Sequence, residues 1–381
     1  MYRVSAEQMP NWYQLKDNIL ISLFMDIPTK TSVKEERKTG TILARAIEVE
    51  QGRYNIAKYL KFGQYNKTVT DFYQNLETCF SEYNLSAFYR NMKTLTITNK
   101  KRNFSDYLES LIIQQPSSAT YYDDTNTVHI TEDKNASTRS MITRELLKMS
   151  TTREGENVTF CGFSQYHKDK KTSIGDALNL GYTDYLNQKY FNRDYLDECN
   201  QQEQIIAQGI ENIVGSRRME ALYFESDLRS LINELAKYTT IDNAMDLIRN
   251  FDKIQKKQID ESLKEKEYKE LRQQIADIYL AKQTQLLDRG TISEQEFADR
   301  KIMYADIYVN ESVVFAPGAQ LSRENGALKI IDSNRGVAVI TSNEKYHHMN
   351  NEPTVEELVA GSYSYQDTLQ KVVEDEHKRR G

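Results

Sequence analysis

No stretch of this 381-residue chain approaches the roughly 20 consecutive apolar residues that a membrane span requires, so no transmembrane segment is predicted. The apolar run Ile19–Met25 is short, follows Asp17, and has no small-residue cleavage site after it, so it is not read as a secretory leader. Cysteine is scarce. Cys79, Cys161 and Cys199 are far apart, odd in number and never in CxxC spacing, which excludes a zinc ribbon and a disulfide framework. Reduced thiols in a cytoplasmic protein are the expectation. No segment is strongly basic, and the net charge is -6 with both signs interspersed, so nucleic acid is not an expected partner. The five histidines form no HxH or HxxxH pair, and His347-His348, being adjacent, point to opposite faces of an extended chain. GxSxG, the phosphate-binding GKS/T loop and GxGxxG are all missing. There is no internal repeat.

What is present is helical patterning with enough aromatic residues to build cores. Hydrophobic residues make up 39% and charged residues 28%, and the 25 Tyr and 13 Phe exclude wholesale disorder. The length allows two or three domains. Residues 1–93 read as mainly helical, with Phe72, Leu76, Phe80 and Tyr83, then Leu85 and Phe88, at helical spacing. Residues 94–98 (TLTIT) alternate like a strand, and 104–113 return to a helical pattern. Residues 119–131 read as a β-hairpin around the turn residues Asp123-Asp124-Thr125-Asn126. A helix over about 137–150 follows, capped by Asn135 or Ser137, then a polar loop over 151–157 and a second helix over 173–190. Long helices are predicted over 197–238, 241–256 and 257–288, the last with one apolar stripe. A short helix starts near Ser293. Strands are expected at 313–315, 327–331 and 337–340, and 347–381 as a frayed tail. Cys161 reads as a buried free thiol.

Two segments carry the functional argument: Thr143-Arg144-Glu145-Leu146-Leu147-Lys148-Met149-Ser150, and Leu178-Asn179-Leu180-Gly181-Tyr182-Thr183-Asp184-Tyr185-Leu186. With the preceding strand and hairpin and the Gly162-Phe163-Ser164 between them, they resemble the flanks of the active-site helices of gluzincin-type zinc metallopeptidases. That family carries HExxH on the first helix, two His one turn apart on one face, and NExxxD on the second. The resemblance covers about residues 94–235. It places Arg144 and Lys148 where the two His would be and Leu180 where the third-ligand Glu would be. Glu145 falls at the general-base position and Asp184 at the position that orients a ligating His. On the bare charge pattern, RExxK is simply an i, i+4 arrangement on a helix.

The fold class expected is α+β, mainly helical. The resemblance implies a zincin-like core over 94–240, preceded by the 1–93 region. A charged helical region over 241–310, a β-meander over 311–346 and the tail would follow. Arg has no lone pair to give and Leu none at all, so zinc is predicted absent. The function implied is a pseudopeptidase that keeps the fold to bind a protein or peptide, by strand addition beside the hairpin. Two alternatives stand beside it. One is an active hydrolase using unrecognised ligands or a Glu145–Asp184 carboxylate pair. The other is a helical interaction module over 197–288 unrelated to peptidases. The substitution of ligands by cations also predicts that Asp184 accepts hydrogen bonds from the Arg144 guanidinium, with Glu145 left near Lys148 or water; a separation beyond about 6 Å would refute it.

Overall fold

The computed structural model describes residues 62–99, 119–130, 138–168, 172–192, 200–257, 260–316, 319–324, 327–332, 336–340 and 346–349. The readings of 1–61, 104–113, the caps at Asn135 and Ser137, and 351–381 lie outside these residues. Val69, Phe72, Tyr73, Leu76 and Phe80 recur at helical spacing, and all are buried on one face of helix α1, Asn66–Phe80. Helix α2, Ser86–Met92, buries Ala87, Phe88 and Tyr89. The rings of Phe72, Tyr73, Phe80 and Phe88 pack edge-to-face or offset against one another and against Phe191 and Phe224.

The strand and hairpin form as the alternation predicts. Strand β1 (Thr96–Asn99) pairs parallel with β3 (Thr127–Ile130), and β3 pairs antiparallel with β2 (Ala119–Tyr122), so β2 is an edge among the described residues. The turn closes with Asn126 at φ 47°, a conformation that Asn tolerates. Helix α3, Thr138–Thr151, lies against β2 and β3.

Three expectations need correction here. The polar loop at 151–157 instead contains strand β4 (Arg153–Glu154), which opens a four-stranded antiparallel sheet with β5 (Val158–Cys161), β6 (Ser164–His167) and β7 (Ser173–Ile174). All four residues of β5 are buried, so the alternation that marks a half-exposed strand is missing. Second, the helix expected over 173–190 begins only at Asp176, because Ser173 and Ile174 pair with β6. As α4 it runs Asp176–Leu186 and passes into a π-helical turn, Asn187–Phe191. Third, the single helix expected over 197–238 is three: α5 (Gln201–Val214), α6 (Ser216–Phe224) and α7 (Leu228–Leu235). Gly215, at φ 94°, breaks the first junction, where a residue with a Cβ would be strained. Ser226, at φ 49°, breaks the second, and Asp227 then caps α7 by accepting from the Ser230 N–H at 2.9 Å. Helices α8 (Ile241–Lys256) and α9 (Glu261–Asp288) form close to where the periodicity places them.

Two compact units result. The first holds the described residues from 62 to 207 together with those of 214–268. Within it α4 packs against α3 and α8, and Gly181 lets α4 approach α5, since a Cβ there would lie 2.2 Å from the Glu203 carbonyl oxygen. The second unit holds 208–213 and the described residues from 269 to 349. In it Ser293 caps helix α10 (Glu294–Lys301) through the Glu296 N–H. A π-helical segment, Ile302–Tyr308, follows and stacks Tyr304 on Tyr279. Val314 and Phe315 are buried outside any strand, contrary to the strand expected there. The antiparallel sheet is β8 (Gln320–Glu324), β9 (Ala327–Asp332), β10 (Gly336–Ile340) and β11 (Tyr346–Met349). His347 and His348, expected in a tail, pair with Val339 and Ala338 across β10 and β11. The described residues are thus mainly helical with three small sheets. No described helix is long and apolar enough to cross a membrane.

Candidate functional site

The helix α3 that the hairpin braces carries Arg144 and Glu145 side by side, and Lys148, one turn further on, meets the Glu145 side chain. Glu145 is the centre of the group. Its side chain is 1% exposed, against 11% for Arg144 and 23% for Lys148. Arg144 Nε donates to Glu145 Oε1 at 3.0 Å. Lys148 Nζ donates to Oε1 at 2.9 Å and to Oε2 at 3.1 Å. The third donor, making the fourth hydrogen bond, comes from another element, the backbone N–H of Tyr121 on strand β2, which gives to Oε2 at 2.8 Å.

Burial alone would raise the Glu145 pKa. The Lys148 and Arg144 charges and the hydrogen bonds outweigh that, and the carboxyl is held below its ordinary range. Glu145 is therefore an anion at neutral pH with both oxygens engaged.

Helix α4 supplies the second carboxylate. Arg144 Nε lies 3.8 Å from Asp184 Oδ1, so the guanidinium stands between Glu145 and Asp184. Asp184 Oδ2 accepts from Asn200 Nδ2 at 2.6 Å. The separation of Arg144 and Asp184 is inside the ~6 Å limit, but 3.8 Å is longer than the hydrogen bond expected, and Arg144 Nε gives its hydrogen bond to Glu145 instead. Leu180, on the same helix, is half-buried. The fold thus brings together Arg144, Glu145, Lys148 and Asp184.

Cys161 on β5 sits behind this cluster. Its thiol donates to the Lys148 carbonyl at 3.6 Å and accepts weakly from Asn179 Nδ2 at 3.9 Å. Burial, above all, pushes the thiol pKa up, so it stays protonated and is a poor nucleophile. His129 is on β3, its Nδ1 2.9 Å from Thr98 Oγ1 and its ring edge-on to Tyr122, away from any carboxylate pair.

The donor set does not fit zinc. Arg144 carries a fixed cation already turned to carboxylates, Lys148 donates as an ammonium to Glu145, and Leu180 has no donor atom. Among the described residues no group of three or more His, Cys, Asp or Glu is arranged to hold a metal.

Two members of the site had no sequence signal that sequence reasoning could use. The Tyr121 backbone N–H became a partner of Glu145 only because β2 is an edge strand laid against α3. Asn200 reaches Asp184 from the start of α5, after the chain has left α4. Glu145 also has a partner not anticipated, since Arg144 bonds it as well as facing Asp184.

No model of a known protein family, no curated protein and no solved structure matches this chain.

Proposed function

We propose that this protein is a pseudopeptidase: a zincin-like domain without metal chemistry, retained to bind a protein or peptide. The observation that carries the reading is the state of Glu145. A general base must be free to take a proton from a water. Here the residue at that position is buried, its pKa is lowered, and its two oxygens are held by Arg144, Lys148 and the Tyr121 N–H. Cations at the former ligand positions neutralise Glu145 and Asp184, as a divalent metal would. The order of strand, edge hairpin, helix α3 and helix α4, with α3 packed on α4, supports the same ancestry.

A metal-free carboxylate pair is less well supported, because Arg144 stands between the two acids and favours the ionised form of each. A separate module over 197–288 is also less well supported. Arg153 Nη2 donates to the Phe224 carbonyl at 3.0 Å and Asp252 bonds Gly175 and Ala177, so the earlier and later segments share buried polar contacts.

Metal analysis of the purified protein with a broad peptide-cleavage screen tests the proposal. We expect no stoichiometric zinc and no cleavage. One tightly held equivalent of zinc between α3 and α4 would overturn it. The combined change Arg144→His, Lys148→His and Leu180→Glu asks the converse question. Zinc uptake near one equivalent is expected if the backbone keeps the metallopeptidase geometry.

A further inference from the structure

Glu145 is bound in the way a protein binds a ligand carboxylate. Two cations and one backbone N–H, from two different elements, converge on its two oxygens at 2.8–3.1 Å. Such charge-assisted donors are the usual means of recognising a carboxylate. The backbone donor belongs to a strand that, among the described residues, has a sheet neighbour on one side only, and its N–H goes to Glu145 rather than to β3. An extended peptide added to that edge would present a carbonyl or carboxylate oxygen at this N–H. Lys148, the most exposed of the three side chains, marks the side open to solvent.

We propose that Arg144, Lys148 and the Tyr121 N–H form a carboxylate-binding site that Glu145 fills from within the chain, closing it to an incoming carboxylate until Glu145 rotates away. The inference rests on the peptide-binding reading only for the source of the incoming group, either a peptide's C-terminus or an acidic side chain. The site itself requires only the geometry above.

Glu145→Ala empties the site, and sodium formate supplies the missing group. Thermal melts are compared in formate and in chloride at matched ionic strength. A ligand that binds only the folded state raises the melting temperature. Formate should therefore lift the Tm of Glu145→Ala by about 1–3 °C over chloride, the shift that one or two kcal/mol gives in a chain of this size. Wild type, Glu145→Gln, which fills the same space without a charge, and Glu145→Ala/Lys148→Ala should show no difference between the salts. Folding of Glu145→Ala in formate but not in chloride would support the site equally. Equal behaviour in the two salts, whether folded or unfolded in both, would overturn it, as would the same formate response from Glu145→Gln.

Two further probes on Glu145→Ala separate the sources. A Tm rise with acetyl-alanine alone supports a peptide C-terminus, and one with acetyl-aspartate amide alone supports an acidic side chain. A response to formate with neither probe active keeps the site and overturns the peptide as occupant. Zinc content, measured on the same samples, bears on the pseudopeptidase reading separately.

Discussion

Asp252 offers the sharpest test of how this fold balances burial against hydrogen bonding. It lies on α8, yet it caps α4. Oδ2 accepts from the Gly175 N–H at 2.7 Å and Oδ1 from the Ala177 N–H at 2.9 Å, while Gly175 has no side chain to do so. The two donors and the positive end of the helix favour the carboxylate. Burial disfavours it, and so does the neighbouring Asp176, whereas Lys256 favours it. Burial is the largest influence, and the pKa is pushed up from 3.8 to about 6. That rise corresponds to ~3 kcal/mol, at ~1.36 kcal/mol for each tenfold change in proton affinity. Because the folded-state pKa is the higher one, folding favours the protonated acid. The stability it contributes is fully present below about pH 4 and is lost as the pH rises through about 6. Asn at this position keeps the shape and does not titrate. Urea unfolding of wild type and Asp252→Asn across this range gives the difference between the two at each pH. Wild type should lose ~3 kcal/mol relative to Asp252→Asn between about pH 4 and pH 7. The same pair in an Asp176→Asn background isolates the neighbouring charge. A flat difference, or one that grows in favour of wild type toward neutral pH, would refute the reasoning and show that the two N–H donors and the helix terminus outweigh burial.

Two other perturbations follow from the packing. Gly181→Ala puts a Cβ 2.2 Å from the Glu203 carbonyl, against backbone that a rotamer change cannot relieve, so it should destabilise by ~1–3 kcal/mol in urea unfolding. A neutral result would mean that α4 and α5 separate without cost. Arg144→Leu should cost ~3–5 kcal/mol because it leaves two buried carboxylates with fewer partners, and Arg144→Leu/Asp184→Asn should cost less than the two single changes added together. Strict additivity in that cycle would show that the 3.8 Å ion pair carries no coupling.

The sequence by itself determined the elements whose cause is local. The apolar spacing of Phe72, Leu76 and Phe80 is a helix wherever it sits, and the Asp123–Asn126 turn between two β-forming runs is a hairpin. Ser293 before an acidic first turn is a helix start. The meeting of Glu145 with Lys148 was also legible, since residues one turn apart meet on any helix, whereas the bond from its neighbour Arg144 was not. What tertiary structure alone decided is which groups those residues face. Arg153, polar in a segment that reads as loop, became a buried strand residue because its guanidinium found the Phe224 carbonyl 71 residues later. The helix expected to begin at Ser173 lost its first turn to β6, a competitor that helical propensity cannot weigh. The cap of α4 came from Asp252, 77 residues beyond Gly175, and no local capping rule could find it. The role of Glu145 turned on the same kind of distant meeting. Its charge and helical position are written in the sequence, but whether a buried carboxylate serves as a base or as one side of an ion pair depends on what is brought to its two oxygens. A backbone N–H from 24 residues earlier, on a strand edge that only folding creates, is one of the groups that decide it.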